Sequence, residues 1–287
     1  MSISPPTRLG TTPGKGSAMG LLRLFGIFVW LLLPYVSPYR DRIIGGKECY
    51  EKKHPYLALL YRLTSPYCSG ILINKNWVLT AAHCCKSGDI VIKLGEHNLE
   101  ESTGREQMRT SAETILYNTK ADAKCECECE NDIMLIRLNK PADLTEYVAP
   151  IDLGITPPPL GTSCTVMGWG AITSPEETFP AAPQCVNITI LETKLCEENY
   201  PCIVPENILC AGVPEGGKDS CRGDSGGPLV CDNKLHGVVS LGGDPCAQPE
   251  LPAVYTNISH YVDWIQEHIG ESNKGSSPKH GTLADAS

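Results

Sequence analysis

Three things are scarce in this 287-residue chain, and each scarcity excludes a class of protein. Long apolar runs come first: the longest, Leu24–Leu33, has ten residues, where a helix crossing a bilayer needs ~20. Basic charge is in deficit, with 24 Lys and Arg against 33 Asp and Glu and a net charge of -9. That balance argues against nucleic acid as the main partner. Sustained helical periodicity is missing until Tyr261, and no repeat of fixed period is visible. A helical bundle or a solenoid is therefore a poor fit.

Cysteine, by contrast, is abundant. Fifteen cysteines exceed ordinary globular usage and point to an oxidising compartment, where thiols pair. The count is odd, so at least one cysteine has no partner within a monomer. A hydrophobic content of 41% with 20% charged residues excludes wholesale disorder, and the length allows one or two domains.

Arg23, the apolar run 24–33 and Pro34 have the build of a signal peptide, with Met19 in the usual starting position. The stretch from Met1 to Ala18 reads as an extension before it. Arg42-Ile43-Ile44-Gly45-Gly46 then places a basic residue before an apolar amine terminus, which suggests a second, activating cleavage at Arg42-Ile43. Residues 1–42 are thus expected to be signal peptide and short propeptide. Without them 19 basic residues face 32 acidic ones, a balance of -13.

From Ile43 to about Tyr255, short apolar runs alternate with turn residues. Residues 57–61, 70–73, 90–94, 133–138, 165–167, 188–191 and 237–240 read as strands. The proline-rich connector Thr156-Pro157-Pro158-Pro159 divides them near the middle. The expectation is two all-β halves, about 43–155 and 156–260, then a helix over 261–269 and a polar tail over 271–287.

The strongest local signal is Gly223-Asp224-Ser225-Gly226-Gly227-Pro228. A serine between glycines can sit on a tight turn with its backbone N–H aimed at a carbonyl, but it needs a base to act as a nucleophile. A base stands in Ala81-Ala82-His83-Cys84 and an orienting carboxylate in Asp132-Ile133-Met134-Leu135. Taken singly, each has an ordinary explanation as surface, filler or turn.

Together with Ile43-Ile44-Gly45-Gly46, these segments resemble the trypsin-like serine proteases over nearly the whole mature chain, Ile43 to about Ile269. Residues 214–221 and 237–243 make the resemblance strongest to the glandular-kallikrein-like proteases of reptile oral and venom glands. The resemblance implies two six-stranded antiparallel β-barrels with the active site between them, within a protease domain spanning 43–287. It implies His83 as base, Asp132 as orienter, Ser225 as nucleophile, and the N–H groups of Gly223 and Ser225 as oxyanion hole. It implies that the amine of Ile43, released by cleavage after Arg42, pairs with Asp224.

Asp219 matches the base of the primary specificity pocket, with Ser220, Ser240, Gly242 and Ala253 around it. An anion there demands Arg or Lys, with Arg preferred because its planar fork bonds a carboxylate directly. Two departures stand out: Leu241 replaces the usual tryptophan, and Ala253 replaces the usual glycine and narrows the pocket.

The implied disulfides are Cys49–Cys185, Cys68–Cys84, Cys164–Cys231, Cys196–Cys210 and Cys221–Cys246. Cys85, Cys125, Cys127, Cys129 and Cys202 remain. The run Cys125-Glu126-Cys127-Glu128-Cys129 is spaced too closely for familiar zinc motifs, and a bridge from Cys202 to one of its three thiols is the expectation. Glu96, Asn98 and Glu106 match parts of a calcium loop in which Thr103 falls where relatives carry another acid, so calcium is left open. Asn187 and Asn257 begin glycosylation sequons.

The function implied is a secreted serine endopeptidase cutting after Arg, less so Lys, made as a zymogen, with kininogen-like plasma proteins as substrates. Protein inhibitors and an activating protease are the further expected partners, with no nucleic acid, no membrane span, no required cofactor and a monomeric state. The alternatives are a venom-type binding protein on a protease scaffold and a digestive trypsin.

Overall fold

The computed structural model describes residues 43–117 and 130–271. In chain order the strands begin with β1 (Lys47–Glu48), β2 (Leu57–Arg62), β3 (Ser65–Asn74), β4 (Trp77–Thr80), β5 (Val91–Leu94), β6 (Gln107–Leu116) and β7 (Met134–Leu138). They continue with β8 (Ser163–Gly168), β9 (Gln184–Leu191), β10 (Ile208–Gly212), β11 (Pro228–Cys231), β12 (Lys234–Leu241) and β13 (Ala253–Asn257). Helix α1 (Thr193–Asn199) follows β9, and helix α2 (Ile258–Glu271) follows β13.

Two antiparallel barrels result. The first closes in the order β2-β3-β4-β7-β6-β5, and the second runs β9-β10-β13-β12-β11-β8 and closes through β8–β9. Closure leaves neither barrel a free edge, and the two-residue strand β1 hangs on β9 as a short outer edge. Alternation is clearest in β9, whose even positions from Gln184 to Ile190 are buried while Cys185, Asn187, Thr189 and Leu191 are not. The β11–β12 hairpin turns on Asp232-Asn233, both at positive φ (50° and 60°), as a two-residue turn matching strand twist requires. The first core gathers Leu60, Ile71, Leu72, Trp77, Leu79, Ile92 and Leu135. The second gathers Ile43, Val166, Ile188, Leu209, Leu229, Val239 and Tyr255.

Two elements depart from the linear division into halves. Segment 43–49 precedes the first barrel but belongs to the second: Lys47 pairs with Cys185, and Ile43 is buried in the second core. The Cys49–Cys185 disulfide fixes it there. Helix α2 extends the second barrel's last strand but lays Ile258, Tyr261, Val262 and Ile265 on the first core. Those positions are i, i+3, i+4 and i+7, one helical face. The helix begins three residues before the expected start because Asn257 caps it, its Oδ1 taking the N–H of Ser259 at 3.2 Å.

Strands β4, β6, β10, β11 and β13 and helix α1 were not legible as separate elements. β13 and β10 are buried at every position and show no alternation. The signal-peptide, Arg42, Cys125, Cys127 and Cys129 expectations and the tail from residue 272 onward lie outside the described residues. Among the described residues no helix is long and apolar enough to cross a membrane.

Candidate active site

His83 sits on a single 3-10 turn, Ala82–Cys84, just after β4. The Cys68–Cys84 disulfide ties that turn to β3, and its sulfurs lie within 4.8 Å of a His83 ring nitrogen. Both sulfurs are spent on each other, so this cluster is a brace and not a metal site.

Asp132 stands two residues before β7 and is 3% exposed. Its Oδ2 lies 2.8 Å from His83 Nδ1, and its Oδ1 accepts the His83 backbone N–H at 2.9 Å. One carboxylate thus fixes both the ring and the backbone of the histidine. A carboxylate on Nδ1 holds the proton there and leaves Nε2 as the basic nitrogen. The second barrel supplies two more anchors: Ser240 Oγ donates to Asp132 Oδ2 at 2.6 Å, and Thr256 Oγ1 donates to the Asp132 carbonyl at 2.7 Å. Asn131, at φ 57°, accepts from Asn207 and from the Tyr261 hydroxyl, each at 3.0 Å. Thr256, Asn207 and Tyr261 were missed from sequence because they stand far from Asp132 in the chain and in no motif.

Ser225 lies on the turn before β11. Its carbonyl accepts the N–H of Ser69 on β3 at 2.8 Å, so the first barrel holds the turn in place. A Cβ on Gly226 (φ 78°) would stand 2.1 Å from Thr80 Oγ1 and 2.4 Å from the Ser69 carbonyl oxygen. Only glycine permits that approach of the two barrels. Gly223 adopts φ 99°, with the Phe179 ring 3.4 Å from where its Cβ would be.

Asp224 is fully buried. Its Oδ1 accepts the N–H of Gly170 at 2.8 Å and its Oδ2 that of Cys221 at 2.9 Å. Burial pushes its pKa up to about 6 despite both bonds. The carbonyl of Ile44 takes the N–H of Asp219 at 3.2 Å, so the segment behind Arg42 is fastened to the loop that carries Asp219.

A cleft of about 190 Å³ opens beside Ser225, with Ser220, Cys221, Ser240, Leu241, Gly242 and Cys246 on its walls. Cys221 and Cys246 on its wall form a disulfide. Asp219 lies next to wall residue Ser220 and is 2% exposed. Its Oδ2 accepts the Ala247 N–H at 3.0 Å, while Oδ1 has no partner. Burial drives its pKa up to about 7. The buried methyl of Ala253 sits 3.7 Å from where a Cβ on Gly242 would be, behind the cleft wall and not among its lining residues. Ser240 lines the cleft, and its hydroxyl donates to Asp132. At the mouth, Arg222 pairs with Glu177 at 2.9 Å. A second, apolar groove of about 310 Å³ borders Gly223, lined by Leu59, Tyr67, Leu99, Trp169 and Phe179.

The five implied disulfides are all formed, and Cys202 is disulfide-bonded as well. Asn187 is exposed on β9, as a glycan acceptor must be. Asn257 is 8% exposed, and its Oδ1 accepts the N–H and hydroxyl of Ser259 at the start of α2.

Comparison with known proteins follows the same lines. Residues 43–265 match the trypsin family. The chain is 47% identical over 261 residues to an alpha- and beta-fibrinogenase, OhS1, of Ophiophagus hannah, covering 91% of this chain and 98% of that one. It is 43% identical over 263 residues to an inactive snake venom serine proteinase 13 of Crotalus adamanteus, covering 91% and 98%. Among solved structures it is similar to mouse neuropsin, a serine protease expressed in the limbic system of the brain. The TM-score is 0.73 at 41% identity, covering 78% of this chain and 98% of neuropsin.

Proposed function

The chain belongs to the trypsin family of serine proteases, and on that premise we propose a secreted zymogen that, once cut at Arg42-Ile43, cleaves plasma proteins after Arg and less readily after Lys. It is a serine endopeptidase of the snake venom type. The observation that carries the specificity is the buried carboxylate of Asp219, with one oxygen lacking any partner. A buried anion in that state is stabilised by a cationic donor, and a guanidinium meets it with two parallel N–H groups.

The chemistry follows from the hydrogen-bonded pair. Ser225 Oγ attacks the scissile carbonyl carbon while His83 Nε2 takes its proton. The N–H groups of Gly223 and Ser225 stabilise the oxyanion. Collapse breaks the C–N bond, and His83 returns the proton to the leaving amine. Water, deprotonated by His83, then hydrolyses the acyl-enzyme and restores Ser225. The amine released at Ile43 pairs with Asp224 and holds this turn in its working form, since a buried carboxylate at that depth needs a countercharge.

Fibrinogen and kininogen are the substrates to test, the first from the fibrinogenase relative and the second from the kallikrein likeness. The similarity to an inactive venom proteinase favours a second reading, a protease scaffold that binds without cutting. Purified protein activated at Arg42 is expected to cut Arg peptides faster than matched Lys peptides and to nick both proteins at few sites. A serine-directed covalent inhibitor and Ser225→Ala should each abolish this. No inhibitor-sensitive cleavage would establish the scaffold reading, and broad digestion of unfolded protein would establish a digestive role.

A further inference from the structure

The fold's calcium loop lies between β5 and β6, and the candidate ligands in this chain do not fit a metal ion. Glu96 is 2% exposed and turns inward. Its Oε2 is ion-paired with the ammonium of Lys93, and its Oε1 accepts the N–H of His97 at 3.0 Å. Glu106 gives Oε1 to the N–H and hydroxyl of Thr103, at 2.7 and 2.8 Å, and Oε2 to the N–H of Gly104 at 2.9 Å. Asn98 spends its Oδ1 on the N–H of Glu100 at 3.0 Å. These side-chain oxygens accept hydrogen bonds within the loop, except Glu96 Oε2, which accepts none and has the Lys93 ammonium as its ion-pair partner.

We propose that Lys93 is the resident cation of this loop and takes the place of calcium. Lys93 is the third residue of β5, so its backbone is fixed in the barrel while its side chain reaches forward to Glu96. Its charge also faces Glu106 and Tyr61. Burial works against the ammonium, but the Glu96 carboxylate outweighs it and raises the pKa of Lys93. Burial likewise works against Glu106, whose Thr103 and Gly104 bonds nonetheless hold its pKa down to about 2. The loop therefore carries one internal positive charge against its buried carboxylate. A divalent ion entering there would have to displace Lys93 and break the Glu106 bonds to the backbone.

The consequence reaches the active site. The loop's His97 carbonyl accepts from Trp169 Nε1 at 3.3 Å, and its Leu99 N–H donates to the Ala181 carbonyl at 2.9 Å. Trp169 and Leu99 both line the apolar groove beside Gly223. Lys93 thus positions, without external metal, one wall of the cleft next to the oxyanion turn.

The test is thermal unfolding of the full uncut chain and its Lys93→Gln variant, in chelator and in about 5 mM calcium, a concentration that fills weak extracellular calcium sites. The wild-type midpoint should be the same in both. Lys93→Gln should unfold on the order of 5 °C lower in chelator, because Glu96 is left charged, buried and unpaired. Calcium should recover part of that loss in the variant alone. If calcium proves silent in the variant, Lys93→Gln with Glu96→Gln decides: recovery of the midpoint upholds the pairing, and no recovery overturns it. A calcium-raised wild-type midpoint, or a Lys93→Gln variant as stable as wild type in chelator, also overturns it.

Discussion

The proposed recognition of Arg by Asp219 offers the sharpest test of the substrate pocket. Its carboxylate is 2% exposed; Oδ2 accepts the Ala247 N–H, the nearby Ser220 N–H also favours the charge, and Oδ1 has no hydrogen bond of normal geometry. Burial raises the pKa from 3.8 to about 7, a displacement worth roughly 4 kcal/mol at 1.4 kcal/mol per unit. That is the cost of keeping the anion in an empty pocket. A substrate Arg supplies the missing donors and a positive charge, so bound Arg should hold the carboxylate ionised well below that value. Arg binding is then coupled to proton release from Asp219. KM for an Arg peptide should rise as pH falls below about 7, approaching tenfold per pH unit, and level off above it. A matched peptide with an uncharged side chain should show no such rise. Asp219→Asn keeps the shape and removes the charge. It should cut kcat/KM for Arg peptides by about 10²–10⁴-fold, the equivalent of roughly 3–5 kcal/mol for a broken buried pair, and abolish the pH dependence of KM. For stability the sign is opposite. The folded pKa lies above the unfolded one, so the folded state holds more protons between them and loses stability as pH rises through about 7. Asp219→Asn should therefore unfold no lower than wild type at about pH 8. A KM for Arg that stays flat across this range, or an equal loss on charged and uncharged peptides, would refute the reasoning.

Ile43→Gly and Asp224→Asn should each leave a folded protein that is cut normally at Arg42 and then shows no peptidase activity. Full turnover by either one, measured beside its circular dichroism spectrum, would remove the amine–carboxylate pair from the mechanism. His54 is 4% exposed, and burial, then the charge of neighbouring His97, lowers its pKa to about 4. Its folded value lies below the unfolded 6.5, so the unfolded chain binds the extra proton. Stability should fall by up to roughly 3 kcal/mol as pH drops from about 6.5 to about 4, and His54→Gln should flatten that slope in urea melts taken at several pH values. Asn187→Gln should remove a glycan mass from the secreted protein. Asn257→Ala should cost about 1 kcal/mol through the lost helix cap; an unchanged unfolding midpoint would contradict the cap assignment.

What could be read from the sequence divides by the range of the interaction. The motifs around His83, Asp132 and Ser225 are local, and the chain's own turns create the geometry they announce. Gly226 is legible because no other residue tolerates its φ and its approach to Thr80. The five paired disulfides are legible through the family likeness, each needing only two cysteines. Lys93 was not legible: a lysine at the third position of a short strand carries no signal until the fold shows which carboxylate it meets. The cap role of Asn257 was not legible, because a sequon is a three-residue pattern, while the cap depends on where α2 begins. The placement of segment 43–49 on the second barrel was hidden for the same reason, since chain order suggests the first.

The distant bonds share one property, that Asp132 and Ser225 are each held by the other barrel. Asp132 belongs to the first barrel, but the hydroxyls of Ser240 and Thr256, on β12 and β13, grip its carboxylate and its carbonyl. Ser225 belongs to the second, but its carbonyl is taken by Ser69 on β3. Helix α2, the continuation of β13, completes the exchange by burying Ile258, Tyr261 and Ile265 in the first core. Loss of one of the hydrogen bonds from Ser69, Ser240 or Thr256 removes no side chain from either core. It shifts the barrels against each other, and a displacement of about 1 Å at a reacting centre can cost ~10²-fold in rate. Thr256→Val, which keeps the volume and deletes the bond to Asp132, should therefore reduce kcat well beyond its effect on the unfolding midpoint. A variant whose kcat and midpoint fall only in proportion would mean that the cross-barrel bonds serve stability alone.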